Sequence, residues 1–126
     1  MRGSDQLSRV AEPQPFVIRR EDTDPITVIA VHGEVDVATA GELRSQLNAV
    51  PDTNRLVLDL CETSFMDSSG LAVLLAERDR RGARLHVVCT PAGPVARLFA
   101  AAQVTTAMQV HDSREKALTA AAIGAT

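Results

Sequence analysis

Short apolar segments rich in β-branched residues alternate with amphipathic segments along this chain. The runs "ITVIAVHG", "RLVLDL" and "RLHVVC" have the composition of strands that are buried on both faces of a sheet. Between them, "TAGELRSQLNAV" and "SSGLAVLLAE" carry apolar residues at helical spacing. Strands that are joined through helices pair in parallel, with right-handed crossovers. The sequence therefore predicts an α/β domain with a mostly parallel sheet of about five strands and about four helices packed against it.

Turn residues, helix caps, prolines and glycines divide the chain into elements in the order β-β-α-β-α-β-α-β-α. "PFVIRR" is the first strand, "EDTDP" is a turn, and Thr39 with Glu42 has the spacing of a capping box at the first helix. The second helix runs from Ser69, buries a stripe that includes leucines, and stops at Gly82. Pro94 opens the third helix, "MQVH" is the last strand, and "DSREKALTAAA" is a final helix capped by its Asp or its Ser.

Length and composition limit what the domain can be. We expect one domain over residues 15–122, after a flexible lead-in at 1–14 and before a tail at 123–126. A net charge of −3 and only 2% aromatic residues argue against a nucleic-acid partner. No apolar run is long enough for a membrane span, and "MRGSDQLSRVAEPQ" lacks the apolar stretch of a signal peptide. The expectation is a cytoplasmic protein without membrane contact.

No pattern of catalytic or metal-binding residues is apparent. The three histidines have no ligand spacing, and no G-x-S-x-G, P-loop or dinucleotide motif follows a strand. Cys61 and Cys89 lie at the ends of apolar segments without a C-x-x-C arrangement, so they are expected to be reduced thiols without a function. We therefore predict no enzyme activity, no catalytic residue, no metal and no cofactor.

The stretch "CETSFMDSSGLAVLLAE" contains more polar groups than a helix start requires. Asp67, Ser68 and Ser69 stand where a strand has ended and an apolar helix begins, although one capping group is enough. One interpretation is that all three residues only cap the helix. The other is that Ser69 accepts a phosphate, because a helix N-terminus favours an anion and offers free N–H groups. Such a phosphate would change the surface that a partner meets and leave the fold intact.

Three longer stretches resemble one known family. They are "VIAVHGEVDVATAGELRSQL", "RLVLDLCETSFMDSSGLAVLLAERDRRGARLHVV" and "PVARLFAAAQVTTAMQVHDSREKAL". Together they resemble a STAS domain of the anti-sigma factor antagonist family, most specifically in "GEVD" and "FMDSSG". The resemblance implies a protein that binds an anti-sigma factor with serine kinase activity and so releases a sigma factor, in a stress-response or sporulation programme. The kinase then phosphorylates the antagonist, which dissociates from the anti-sigma factor, and a PP2C-type serine phosphatase reverses the modification.

The resemblance also implies which residues act. Ser69 matches the phosphorylated serine, and Ser68 is the second choice. Asp67 matches the acidic residue before the acceptor, and Asp36 matches the last position of "GEVD", as a partner contact or equally as a structural cap. The expected partner-binding residues are Asp36, Asp67, Ser68, Ser69 and Gly70.

Two points stay open at this stage. Many family members have a Gly-Leu pair before the last strand, where this chain has Gln103 and Val104, and this leaves the geometry of that turn unsettled. The alternative function is a constitutive STAS interaction or scaffolding module, with Ser69 as a cap and weak nucleotide binding at the same rim.

Four arginines lie near the end of the second helix. This arginine run can be a solvated face or a surface that steers an acidic partner. Its members are Arg78, Arg80, Arg81 and Arg84.

Overall fold

The computed structural model describes residues 15–124, in the order β-β-α-β-β-α-β-α-β-α. The expected lead-in at 1–14 lies outside the described residues. The strands are β1 Val17–Thr23, β2 Ile26–Val35, β3 Arg55–Asp59, β4 Thr63–Met66, β5 Leu85–Val88 and β6 Gln109–His111. The helices are α1 Ala40–Asn48, α2 Ser68–Arg81, α3 Pro94–Ala102 and α4 Arg114–Gly124.

One mostly parallel sheet organises the domain. Its strands lie in the order β1-β2-β3-β5-β6, and β4 pairs with β2 as well. Only β1 runs antiparallel to its neighbour, across the turn that precedes β2, and the other described pairs are parallel. The predicted α/β fold class is confirmed.

Strand β4 was not predicted. The sequence indicated about five strands, and the described residues form six. β3 pairs with residues 26–30 of β2, and β4 continues along the same side of β2 at residues 33–35, after a register shift between Gly33 and Glu34. In β4 the outer residues, Thr63 and Met66, are buried and the two between them are exposed. This order breaks the period-two alternation by which a strand is recognised.

Apolar side chains fill both faces of the sheet. The larger core lies between the sheet and the first three helices, with Leu43 of α1, Leu74 of α2 and Phe99 of α3 all buried. On the opposite face, α4 covers a smaller cluster whose members are Val57, Val88, Ala117 and Ala121. Each large side chain that is fully buried contributes about 1.5–3 kcal/mol to stability.

The buried stripe of α2 differs from the leucine stripe expected for it. Leu74 is buried, whereas Leu71 and Leu75 are only half-buried. The residues that face the core are Gly70, Val73, Leu74, Glu77 and Arg81. A pattern of leucines cannot reveal a stripe that ends in an ion pair.

Arg81 corrects the interpretation of the arginine run as a solvated or steering surface. Its side chain is fully buried, and its Nε donates to Oε2 of Glu77 at 2.6 Å. Its Nη1 donates to the carbonyls of Pro51 at 2.8 Å and Asn54 at 3.0 Å, and its Nη2 to that of Val50 at 3.2 Å. The guanidinium therefore holds the loop after α1 against the end of α2. The other three arginines of the run are at least partly exposed: Arg78, Arg80 and Arg84.

The helix ends agree with several of the local predictions. α2 stops at Gly82, α3 begins at Pro94, and the hydroxyl of Ser113 accepts a hydrogen bond from the N–H of Lys116 at the start of α4. α4 continues to Gly124, two residues into the expected tail. Among the helices of the described residues, none is both long and apolar enough to cross a membrane.

Candidate functional site

The "MDSSG" segment lies at the edge of the sheet where β2 and β4 end. Met66 pairs with Val35, the last residue of β2. The next residue, Asp67, donates its backbone N–H to the carbonyl of Val35 at 3.1 Å. The start of α2 is therefore fixed beside the loop that follows β2, and this edge is where parallel sheets commonly place their sites.

Asp67 caps α2 by itself. Its backbone is extended, and its Oδ1 accepts hydrogen bonds from the N–H groups of Ser69 at 2.8 Å and Gly70 at 3.3 Å. Within residues 15–124 the hydroxyls of Ser68 and Ser69 have no hydrogen-bond partner. The interpretation that all three residues act as caps is therefore wrong, because both hydroxyls are unused by the fold.

The two serines differ in exposure. Ser68 is exposed and Ser69 is half-buried in the first turn of the helix. The expectation of free N–H groups around Ser69 is wrong for two of them, since the Ser69 and Gly70 groups are bonded to Asp67. A phosphate on Ser69 therefore finds these two N–H groups already bonded, while the helix dipole still favours an anion there.

Gly70 is buried in α2, and the expected contact between Gly70 and a partner stays a prediction. A Cβ atom at this position would lie 2.7 Å from Cγ of Met66 and 2.7 Å from Cγ1 of Val35. Only a residue without a side chain lets α2 approach β2 and β4 this closely. Gly70 therefore positions the neighbouring serines at the edge of the sheet.

Asp36 has a structural role in the loop between β2 and α1. Its Oδ1 accepts hydrogen bonds from the N–H groups of Ala38 at 2.9 Å and Thr39 at 3.2 Å. The hydroxyl of Thr39 donates to the carbonyl of Glu34 at 2.8 Å and makes no cap hydrogen bond to α1, so the predicted capping box is wrong. Asp36 makes no hydrogen bond to either serine among the described residues, and a contact between Asp36 and a partner stays a prediction.

The two segments that form this edge carry only negative charge. Residues 33–42 and 60–72 contain five carboxylates and no lysine or arginine. These carboxylates are Glu34, Asp36, Glu42, Glu62 and Asp67. A partner that docks at these two segments meets carboxylates and no basic side chain from them.

Two apolar side chains on the same segments were not predicted as part of the site. Phe65 of β4 is 47% exposed, and Val37 of the loop after β2 is 81% exposed. Phe65 stood inside the quoted motif, but its exposure depends on the register shift of β4 and cannot be inferred from one sequence.

An open depression lies at the same edge and suits neither metal nor thiol chemistry. Its volume is about 470 Å³, and its lining includes Cys61 and Glu62 but no lysine or arginine among the described residues. Burial, followed by a hydrogen bond with Asp59, raises the pKa of the Cys61 thiol to about 11, so the thiolate is scarce at neutral pH. In the described part of the chain no group of three or more His, Cys, Asp or Glu side chains could hold a metal ion.

The comparison with protein families agrees with this architecture. The family model of the STAS domain matches residues 17–117 of the chain. The chain belongs to the STAS domain family. The match covers every strand of the sheet and the whole site described above.

Several proteins similar to this STAS domain are named as anti-sigma factor antagonists. An anti-sigma F factor antagonist of Paenibacillus polymyxa is 30% identical over 108 residues, which is 81% of this chain and 92% of that protein. The anti-sigma-F factor antagonist RsfB of Mycobacterium tuberculosis is 28% identical over 90 residues, which is 70% of this chain and 74% of that protein. The crystal structure of an anti-sigma factor antagonist from Mycobacterium paratuberculosis matches with a TM-score of 0.77 and 29% identity, over 87% of this chain and 97% of that one.

Proposed function

We propose that this STAS domain is an anti-sigma factor antagonist that is switched by phosphorylation of Ser69. In its unmodified form it binds an anti-sigma factor with serine kinase activity in the cytoplasm, and the sigma factor is released. Phosphorylation of Ser69 ends this binding, and a PP2C-type serine phosphatase restores it. The observation that carries the proposal is the hydroxyl of Ser69, which stands at the edge of the sheet without a hydrogen bond among the described residues, beside a helix cap that Asp67 already supplies.

The chemistry of the step belongs to the kinase. The hydroxyl oxygen of Ser69 attacks the terminal phosphorus of ATP, ADP leaves, and the hydroxyl proton passes to a base of the kinase. The domain has to supply an acceptor that can be reached and that has no competing bond. Because the Ser69 N–H is held by Asp67 at 2.8 Å, the fold fixes the backbone of the acceptor and leaves its oxygen available.

The phosphate acts on binding, and the fold does not have to change. It adds a charge of about −1.5 to −2 beside Asp67, on a surface that is already acidic. In the complex with the kinase the same oxygen has to lie against the terminal phosphate of a nucleotide, so a phosphoserine and a nucleotide repel each other there. Burying such a charge without a counter-charge costs several kcal/mol, and a loss of affinity of about a hundredfold follows from about 2.7 kcal/mol.

The alternative, a constitutive interaction module, uses the same surface without the modification. It gains no support from the depression beside the site, because nucleotide phosphates find no lysine or arginine in the described lining. The two functions differ in what happens to Ser69 when a kinase partner and ATP are present.

The test uses each purified anti-sigma factor of the source organism that has a serine kinase domain. The domain is incubated with each kinase, ATP and Mg²⁺, and its intact mass is measured before residues 62–78 are mapped as peptides. We expect one added phosphate, located on Ser69, absent from Ser69→Ala and retained in Ser68→Ala. If a kinase binds the domain but leaves Ser69 unmodified, the phosphorylation switch is wrong and the constitutive module is supported.

A further inference from the structure

The irregular pairing of β4 with β2 turns an aromatic side chain outward next to the site. The register shift between Gly33 and Glu34 lets Phe65 pair with Glu34 and Met66 with Val35. As a result Met66 is buried in the core, whereas Phe65 and the residue before it are both exposed. Bulges of this kind beside a functional site re-aim a side chain at the cost of regular pairing.

Packing in the two cores does not account for the apolar ring of Phe65. It belongs to neither of the two core clusters and is 47% exposed, whereas Phe99 is buried and Phe16 packs against the larger core. Phe65 stands two residues before the cap Asp67, and Val37 stands two residues after Val35, whose carbonyl binds the Asp67 N–H. Both exposed apolar side chains are therefore on the segments that hold the phosphate acceptor.

We infer that Phe65 is the apolar anchor by which the kinase partner holds this domain, with Val37 as a second contact, separately from the acceptor Ser69. This inference rests on the proposed function and names a binding residue for it. Aromatic side chains that are exposed in the free protein and become buried in a complex contribute a large share of binding energy.

The surface around Phe65 specifies the chemistry of the partner. Glu34 pairs with it across the strands, and residues 33–42 and 60–72 carry five carboxylates and no basic residue, while α3, which packs against β4, adds the exposed Arg97. The partner surface has to offer an apolar pocket for the ring, with basic groups at its border that match these carboxylates. A basic border attracts the unmodified domain, and the repulsion after phosphorylation comes from the nucleotide phosphates that face Ser69 inside the kinase site.

The test compares Phe65→Ala with Ile123→Ala, using the kinase that modifies the unaltered domain. Ile123 of α4 is 70% exposed. It lies near the opposite edge of the sheet, since the carbonyl of the next residue, Gly124, is bonded to Arg55 at the start of β3. We expect Phe65→Ala to raise the Kd for the kinase by about tenfold or more, and Ile123→Ala to leave it within about twofold. Phe65→Leu should restore part of the affinity, and the Tm of all three variants shows that they are folded.

Phosphorylation kinetics supply a second readout. Because the anchor contributes to the ground state and the transition state alike, Phe65→Ala should raise KM for the domain and leave kcat close to that of the unaltered protein. A Kd changed by less than about threefold, in a folded Phe65→Ala variant that is still modified on Ser69, overturns the anchor and leaves the proposed function standing. If no kinase binds or modifies the unaltered domain, the proposed function fails, and the anchor with it.

Discussion

The carboxylate of Asp67 accepts a hydrogen bond from the N–H of Ser69 at 2.8 Å, while the hydroxyl of Ser69 has no hydrogen-bond partner among the described residues. Asp67 therefore holds the first turn of α2, and Ser69 keeps its hydroxyl oxygen free of hydrogen bonds among the described residues. This division of roles is the physical basis for treating the second serine of "DSSG" as an acceptor.

Replacing the cap should cost stability in proportion to the lost hydrogen bonds. Asp67→Ala leaves the N–H groups of Ser69 and Gly70 without their acceptor, and we expect the free energy of unfolding to fall by about 0.5–2 kcal/mol. Asp67→Asn keeps an acceptor oxygen and should lose only a few tenths of a kcal/mol. Urea denaturation of both variants measures the difference, and equal loss in the two would contradict the assigned cap.

The packing of α2 at Gly70 can be tested against a control glycine, Gly41, in α1. A Cβ at Gly70 would lie 2.7 Å from atoms of Met66 and Val35, so Gly70→Ala should lower the free energy of unfolding by about 1–3 kcal/mol. Gly41, in α1, has no atom within 4 Å of an added Cβ, and Gly41→Ala should raise stability by about 0.5–1 kcal/mol through helix propensity. Thermal or urea unfolding gives both values, and the account of Gly70 fails if both substitutions stabilise.

The buried ion pair at the other end of α2 should be among the most sensitive positions. Arg81→Met removes the buried partner of the Glu77 carboxylate and leaves it paired with the partly exposed Arg80 alone, at 3.0 Å. Because the loop carbonyls that Arg81 binds also lose their donor, we expect a loss of about 3 kcal/mol. The control is Arg78→Met, because Arg78 pairs with the exposed Asp79 and its removal should cost less than about 1 kcal/mol. If urea unfolding gives similar losses for the two variants, Arg81 does not hold the loop after α1.

A histidine pair under α4 should make stability depend on pH. Nδ1 of His86 lies 3.1 Å from Nε2 of His111, and burial, then the nearby His111 and Arg55, lower the pKa of His86 below its ordinary 6.5. α4 covers this face with Ala117 and Ala121, and His111 and Arg55 lower the pKa in the same direction as burial.

The sign of the effect follows from where the proton binds. The unfolded chain takes up a proton at His86 more readily than the folded domain, so the stability that neutral His86 contributes is present above about pH 6.5 and falls as the pH drops below it. We expect a lower Tm at about pH 5.5 than at about pH 7.5, and a smaller difference between these values in His86→Gln. An unchanged difference in that variant would assign the pH dependence to other groups.

Much of the fold could be predicted because its signals are local. Apolar β-branched runs, a proline at a helix start and a glycine at a helix end each identify an element without knowledge of its neighbours. β4 was missed because its exposure pattern depends on a register shift in its pairing with β2, which is a property of two segments together. The burial of Arg81 was missed for the same reason, since its partners include the carbonyls of Pro51 and Asn54 in another part of the chain.

The turn after α3 contains Gln103 and Val104 in place of the Gly-Leu pair that many family members have, and its geometry is now defined. Gln103 stands where many relatives have glycine, and its φ of 58° is the left-handed conformation that glycine adopts most easily. The N–H of Val104 bonds to the carbonyl of Phe99 at 3.1 Å, so the helix ends in an ordinary left-handed turn despite the substitution. Gln103 therefore replaces the usual glycine without a change in the geometry of the turn.

The residues of the candidate site could be named from the sequence, whereas their hydrogen bonds and burial could not. Asp67 and Ser69 follow from neighbouring positions in one motif. Asp36 came from the resemblance, and the structure gives it hydrogen bonds to its own loop, while Gly70 is buried and positions the helix. The exposed ring of Phe65 required the three-dimensional structure, because a phenylalanine in a strand is more often buried.

The central claim is tested most directly by the affinity of two forms of the same protein for one partner. The domain is prepared unmodified and phosphorylated on Ser69, and the Kd of each for the kinase that modifies it is measured by calorimetry in the presence of nucleotide. We expect the phosphorylated form to bind about a hundredfold more weakly, or not measurably. Equal affinities would show that phosphorylation of Ser69 does not switch the partner, and the account of this domain as a phosphorylation-controlled antagonist would be wrong.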